Sequence, residues 1–154
     1  MDTLQIDSGI KRVSITRDGI EVPDTIEFNP SDVRWAERFQ TMKREVLKSI
    51  EDMRKKAEVL SKLSEDATEE DQTEIEKQEI ELRDVCCTFM REKIDILFGL
   101  GTSQKAFGDL HSEYAIASFL ENITPYIQLA REKKYAKYIP PATSVKRKKH
   151  AVMK

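Results

Sequence analysis

An apolar stripe at helical spacing is the feature that most restricts how this chain can fold. The stripe recurs in steps of three and four over about six turns, which keeps its members on one face of a helix. It consists of Phe39, Met42, Val46, Ile50, Met53, Ala57 and Leu60. A long first helix is therefore predicted over residues 30–63, with Asn29 as its N-cap, Pro30 at its first position and Asp32 complementing the positive helix end.

A second helical stretch follows a short polar break. Thr68 begins a Thr-Glu-Glu-Asp run that is similar to a capping box, so a helix is predicted to start there. Its apolar stripe is spaced by sevens and consists of Ile75, Leu82, Phe89 and Ile96. The stripe has few apolar residues in the N-terminal part of this helix, where residues 64–84 hold ten acids and two bases. Two long helices joined by a short break predict an antiparallel hairpin, stripe against stripe.

Short strands are predicted before the first helix. Residues 10–16 alternate apolar and polar side chains, and the pair Asp18-Gly19 that follows tolerates the positive φ of a hairpin turn. The alternation resumes at Ile20. Pro23 is expected to limit this second strand, and residues 26–28 can form a third.

The C-terminal part is predicted to contain a third helix from about Ser112. Thr124 and Pro125 can cap and restart a helix, so a kink is expected there. Beyond Pro140 and Pro141 no periodicity remains, and the charge changes sign. Residues 131–154 carry nine Lys and Arg against one acid, whereas residues 1–130 carry 17 against 27.

The predicted fold is therefore mainly α (α+β). It comprises a short N-terminal β-hairpin, a long antiparallel helical hairpin, and a C-terminal kinked helix with a basic tail. Residues 1–141 are expected to form a single mainly helical domain with its strands within about residues 1–28. Residues 142–154 are expected to form a flexible basic tail, because they have no apolar face that could offset the entropy of ordering.

The segment LFGLGTSQKAFGD, residues 97–109, holds three of the five glycines. A P-loop needs the pattern GxxxxGK[ST] between a strand and a helix. Here Lys105 stands four residues after Gly101 and the preceding run is helical, so nucleotide binding is not expected. The structural interpretation is that Gly99 or Gly101 takes a left-handed conformation and that Thr102 or Ser103 caps a short helical turn. The predicted structural loop residues are Gly99, Gly101, Thr102 and Gly108. Phe98 and Phe107 are expected to fold inward as a pair.

Catalytic residues, metal sites and cofactors are not predicted. His111 and His150 lack metal-ligand spacing, and Cys86 and Cys87 are adjacent without a second CxxC motif. Neighbours on a helix point roughly 100° apart, which suits reduced core cysteines better than a disulfide. No apolar run approaches the roughly 18 residues that a membrane span needs. A cytoplasmic protein that is not an enzyme is expected.

One block carries a family resemblance. Residues 87–109 read CTFMREKIDILFGLGTSQKAFGD and contain the pattern D-x-[LV]-F-G-x-G-T-x-x-K-x-F-G-D from Asp95 to Asp109. FNPSDVRWAERF before it and YAIASFLENITPYIQLAREKKYAKY after it extend the likeness over most of the chain. The chain resembles phage tail assembly chaperones of long-tailed phages and prophages of Gram-positive bacteria. This resemblance implies a chaperone in the host cell cytoplasm that coats the tape measure protein and draws tail tube subunits to it.

A partner-binding surface is predicted where the second stripe is rich, with an exposed lysine beside it. Its residues are Phe89, Phe98, Lys105, Phe107 and Phe119, although each ring taken singly can equally fill the chain's own core. The alternative function is a coiled-coil adaptor or dimeric helical interaction protein without a phage role. A homo-oligomer is compatible with both. Nucleic acid is not expected as a partner, because the acidic body repels phosphate and binding would depend on the basic tail alone.

Overall fold

In a computed structural model of the chain, residues 1–138 are described, with side chains as far as Glu132. The elements in chain order are β1 (Lys11–Arg17), β2 (Ile20–Phe28), α1 (Val33–Glu65), α2 (Glu69–Phe98), α3 (Thr102–Phe107) and α4 (Glu113–Tyr138). The protein is mainly helical with an N-terminal antiparallel β-hairpin, which confirms the predicted fold class. The predicted tail over residues 142–154 lies outside the described residues.

The β-hairpin turns where the sequence predicts it. Asp18 and Gly19 have φ values of 55° and 79° and connect the paired residues Arg17 and Ile20. Positive φ at both central residues matches the type I′ turn, whose twist suits paired strands.

A bulge interrupts the pairing of β2. Ser14 pairs with Thr25 but Ile15 pairs with Val22, so residues 23–24 have no partner in the register. The prediction that Pro23 limits the second strand, with a separate strand at residues 26–28, is therefore wrong. The strand displaces the proline into the bulge, where its missing N–H is not needed, and continues to Phe28.

α1 begins later than predicted because a different residue caps it. The Asp32 carboxylate accepts hydrogen bonds from the N–H groups of Arg34 (3.0 Å) and Trp35 (3.5 Å), so Asp32 is the N-cap. Asn29 instead accepts from the Ser31 N–H at 3.0 Å and closes a turn before the helix. The predicted stripe of α1 is buried from Phe39 to Met53, whereas Ala57 and Leu60 are half-buried.

α2 starts as predicted but buries another face. The Thr68 hydroxyl accepts from the Asp71 N–H at 3.2 Å and caps the helix. The predicted stripe is wrong in its second half, since Phe89 is 39% exposed and Ile96 is 80% exposed. The buried residues of α2 are Cys86, Cys87, Met90 and Ile94.

α1 and α2 form the predicted antiparallel hairpin. Residues early in α1 contact residues late in α2, as an antiparallel pair requires. Trp35 Nε1 donates to Leu97 O, Glu45 pairs with Lys93, and the Ser49 hydroxyl contacts the Cys86 thiol.

The core lies where the base of this hairpin meets β2, α3 and α4. Phe98, at the end of α2, contacts the rings of Phe28, Trp35, Phe39 and Phe119 at centroid distances of 5.2–6.3 Å. We call these five residues, with Phe107 and Tyr126, the aromatic cluster. Phe98 and Phe107 do not pair as predicted within the described structure; each packs on Phe119, at 5.2 and 5.6 Å.

α4 continues through Pro125. The predicted helix restart at Thr124 is wrong: its hydroxyl donates to the Leu120 carbonyl and accepts from the Lys43 ammonium, both at 2.9 Å. Burial of Ile123 and Ile127 on either side of the proline holds the helix together despite the lost backbone hydrogen bond. Within residues 1–138, no helix has both the length and the apolar content needed to cross a membrane.

Candidate partner-binding surface

The loop between α2 and α3 is built by two glycines and one carboxylate. Gly99 (φ 116°) ends α2, and Gly101 (φ 89°) takes the left-handed position just before α3. Asp95 of α2 accepts hydrogen bonds from the Ser103 N–H at 2.7 Å and from its hydroxyl at 3.0 Å. The prediction that Thr102 or Ser103 caps this helical turn is therefore wrong. Both are buried residues in the first turn of α3. Asp95 supplies the acceptor that a capping side chain would provide.

The far end of the loop brings three elements together. Gly108 (φ 60°) follows α3, and Arg17 Nη1 of β1 lies 2.7 Å from the point where a Cβ at this glycine would stand. Arg91 of α2 donates to the Gly108 carbonyl at 2.7 Å and to the Leu110 carbonyl at 2.9 Å. The loop thus joins the helical hairpin to the β-hairpin and to the start of α4.

The rings predicted for partner binding occupy two separate places. Phe98, Phe107 and Phe119 belong to the aromatic cluster, and Phe107 is buried. Phe89 lies apart on the hairpin, with the Lys93 ammonium 5.4 Å from its ring centroid. Lys105 is exposed on α3. The structure brings three of the rings together inside the molecule and leaves Phe89 at the surface.

An exposed apolar stripe follows one face of α2 and continues just past its end. It consists of Val85, Phe89, Ile96 and Leu100, and we call it the α2 stripe. Ile96 and Leu100 are the most exposed members, at 80% and 97%. Ile96 was predicted to lie in the hairpin seam, and Phe89 both there and in the partner-binding surface, whereas Val85 and Leu100 were not among the predicted binding residues. The sequence does contain a signal for this exposed surface. α2 carries two sets of apolar residues, the buried set and the α2 stripe, and only one of them can face the core.

A groove runs between the α2 stripe and α1. One section, of about 650 Å³, is lined by Met42, Ile96 and Leu97 among others, and the next, of about 480 Å³, by Met53 and Phe89 among others. Among the described residues, those that line the two sections belong to α1 and α2. Glu45 borders both and forms an ion pair with Lys93 at 2.9 Å across the hairpin.

The rim of this groove carries both signs of charge. Its bases are Arg34, Arg38, Lys48, Lys56 and Lys93, and its acids are Glu37, Glu45 and Asp52. Five bases against three acids among the described lining residues make the groove mildly basic on a chain whose net charge is −2. An apolar floor with such a rim can receive an amphipathic helix that has an apolar face and acidic flanks.

The cysteines lie in the core beside the hairpin seam. Burial raises the pKa of the Cys87 thiol to about 11, and the Glu113 carboxylate acts in the same direction. A thiol with that pKa is protonated at neutral pH and is a poor nucleophile. Among the described side chains, no group of three or more His, Cys, Asp or Glu is placed to hold a metal ion.

The chain belongs to a protein family described as a family of unknown function, DUF6673, whose model matches residues 18–151. No curated protein and no solved structure matches the chain. The matched range includes the whole helical hairpin, the glycine loop and α4, so the groove and the α2 stripe lie within the family region.

Proposed function

We propose that this protein is a non-enzymatic tail assembly chaperone of a long-tailed phage or prophage, acting in the host cell cytoplasm. It binds the tape measure protein and helps to recruit tail tube subunits. The observation that carries the proposal is the α2 stripe beside its groove, a set of apolar side chains on one side of α2 that remain exposed. Exposed apolar faces of this kind mark interaction sites, and a groove between two helices suits a third helix. The likeness of residues 95–109 to the chaperone pattern supplies the phage context.

The groove suits a weak contact that is repeated along a long partner. A helix lying on the α2 stripe would cover side chains such as Ile96 and Val85, each contributing about 1.5–3 kcal/mol when fully buried. One such contact is small and reversible. Many copies along one tape measure protein would shield its apolar helices and still leave when the tail tube assembles. Phe98, Phe107 and Phe119 act indirectly in this proposal by holding the hairpin base, while Phe89 and Lys105 remain accessible.

Co-expression with the candidate tape measure protein tests the proposal. The soluble fraction of the partner should rise with the wild-type chain and fall back with Ile96→Asp, which places a charge in the groove. The matched control is Ile80→Asp, because Ile80 is 68% exposed on the same helix but outside the groove lining. Equal activity of Ile96→Asp and wild type would exclude the groove. Unchanged partner solubility with the wild-type chain would refute the chaperone function itself.

The second candidate is a dimeric helical interaction protein without a phage role. The same stripe favours it, because two α2 helices can pack stripe to stripe around a two-fold axis. In that case Ile96→Asp lowers the mass of the protein in solution when no partner is present, and Ile80→Asp does not.

A further inference from the structure

A cleft of about 560 Å³ separates β1 from α4. All six residues from Val13 to Asp18 line it. Side chains of a strand alternate between its two faces, so a cleft that touches every residue in turn runs along the edge of the strand. The opposite wall is one face of α4, from Tyr114 to Tyr126.

The edge of β1 in this cleft offers backbone groups that no strand of the described structure uses. Among the described residues, β1 pairs with β2 only. Arg17 and Ile20 flank the two-residue turn, and residues in that position exchange backbone hydrogen bonds with each other. Because the direction of the backbone groups alternates along a strand, the N–H and C=O groups of Thr16 and Ser14 point away from β2. An extended peptide presents donors and acceptors at the matching spacing.

The side chains around this edge define what the peptide should look like. Val13 and Ile15 are half-buried toward an apolar floor that Phe107 and Phe119 complete. At the end near Gly108, the Arg17 guanidinium has no hydrogen bond or ion pair within the part of the chain that the structure describes. The cleft therefore fits an extended segment with two apolar residues at alternate positions and a carboxylate two residues beyond them.

The chain contains such a segment in residues 2–7, DTLQID. Leu4 and Ile6 alternate and are 84% and 81% exposed, and Asp2 stands two residues before Leu4. The segment forms neither helix nor strand in the structure.

An antiparallel arrangement aligns this segment with β1 along its whole length. Leu4 then lies opposite Ile15, with Ile6 two residues further along the same face, and Asp2 comes opposite Arg17. The apolar pairs face the floor of the cleft, and the Asp2 carboxylate meets the Arg17 guanidinium.

The segment is directed away from the cleft of its own chain. The Ser8 carbonyl accepts hydrogen bonds from Asn29 Nδ2 at 2.9 Å and from the Ser31 hydroxyl at 2.6 Å. Asn29 directly follows β2, so these bonds hold the chain on the β2 side of the hairpin, whereas the cleft lies beyond β1. In this conformation Leu4 and Ile6 are exposed and do not pack in the cleft of their own chain, so we look for their acceptor in a second molecule.

We propose that residues 2–7 of one copy add as a third strand to β1 of a second copy, in the cleft against α4. The exchange covers Leu4 and Ile6 and gives Arg17 an acidic partner. It is independent of the proposed function, because the cleft and the α2 stripe lie on different elements.

The mass in solution tests the donor segment. The wild-type chain should associate with increasing concentration in analytical ultracentrifugation. Leu4→Asp/Ile6→Asp should weaken association about 100-fold, since two apolar side chains lose their burial. The matched control is Thr3→Asp/Gln5→Asp, which adds the same charge to the side that faces outward and should stay close to wild type. Equal association of the two double variants would overturn the proposal.

Complementation tests the acceptor cleft. Ser118→Arg fills the cleft from the exposed α4 wall, and Gln128→Arg is its control on the same helix outside the lining. Neither Ser118→Arg nor Leu4→Asp/Ile6→Asp should associate alone. Mixed together they should form a one-to-one pair, because one keeps a working donor and the other a working acceptor. A mixture that stays monomeric would overturn the exchange, as would loss of association in Ile96→Asp but not in Leu4→Asp/Ile6→Asp.

A peptide of residues 1–9 with blocked ends provides the direct measurement. It should bind full-length Leu4→Asp/Ile6→Asp and not Ser118→Arg. Arg17→Glu should weaken binding about two- to fivefold, and Asp2→Arg in the peptide should restore it. The peptide could bind while the wild-type chain stays monomeric at all concentrations. That result would show that residues 2–7 occupy the cleft of their own chain, and it would overturn the proposed role of a second copy.

Discussion

Gly101 fixes the direction in which the chain leaves the helical hairpin. Its φ of 89° suits glycine, and a Cβ added there would meet no atom within 4 Å, so the cost of a substitution is in the backbone. Gly101→Val should destabilise the protein by about 1–3 kcal/mol, whereas Lys105→Ala, at an exposed position, should change stability by less than about 0.5 kcal/mol. Urea denaturation measures both. Equal midpoints for Gly101→Val and the parent would place the strain elsewhere in the loop.

The buried thiol of Cys87 makes stability depend on alkaline pH. Its pKa is about 11 in the folded chain against an ordinary value of 9.0, so the folded state keeps its proton over a range in which the unfolded state loses it. The stabilisation is complete below about pH 9 and is lost as the pH rises toward about 11. The fall in the free energy of unfolding between about pH 8 and pH 10.5 should be smaller in Cys87→Ala than in wild type. Ile94→Val, a small change at another fully buried position of α2 that carries no titratable group, is the control and should keep the wild-type slope.

The helical hairpin is unevenly anchored along its length. The buried residues of α1 end at Met53, and those of α2 begin at Cys86. The intervening tip is strongly acidic, and its apolar residues are either half-buried, such as Leu60 and Ile75, or exposed, such as Ile80. Amide hydrogen exchange should therefore be faster over residues 57–82 than over residues 86–97, since few apolar contacts oppose local opening. Equal protection would show that the tip is held by something other than its apolar contacts.

The elements were predictable where one local signal was strong. The period of α1, the Asp18-Gly19 turn and the Thr68 cap all follow from neighbouring residues. The start of α1 was not predictable in this way, because residues 29–32 include several good capping side chains and tertiary context selects Asp32.

The buried face of α2 depends on contacts that are distant in sequence. Cys87, Met90 and Ile94 compete with the α2 stripe for the core, and the sevenfold spacing of Phe89 and Ile96 favours the wrong set. Because the core face was misassigned, the exposed surface was misassigned with it. Ring packing in the aromatic cluster is equally nonlocal, which is why Phe98, Phe107 and Phe119 could not be sorted from Phe89 by sequence.

At the scale of the whole molecule, Phe98 ties four elements together. Its ring contacts aromatic residues of β2, α1 and α4 from the end of α2. Phe98→Ala should cost about 3 kcal/mol, at the lower end for a phenylalanine because the ring is half-buried. Phe89→Ala should cost less than about 1 kcal/mol.

Trp35 provides the readout for both variants. It is the only tryptophan, and its ring lies 5.2 Å from that of Phe98. Its fluorescence should change in folded Phe98→Ala and not in Phe89→Ala. Similar unfolding midpoints for the two variants would contradict the central position of Phe98.

The bulge at residues 23–24 makes the two edges of the β-hairpin unequal. Pro23 has no N–H, and the two unpaired residues break the regular spacing along the outer side of β2. Fibril growth by edge-to-edge stacking requires two usable edges on every molecule. This hairpin has a regular edge on β1 only, so ordered stacking from its sheet stops after a single addition.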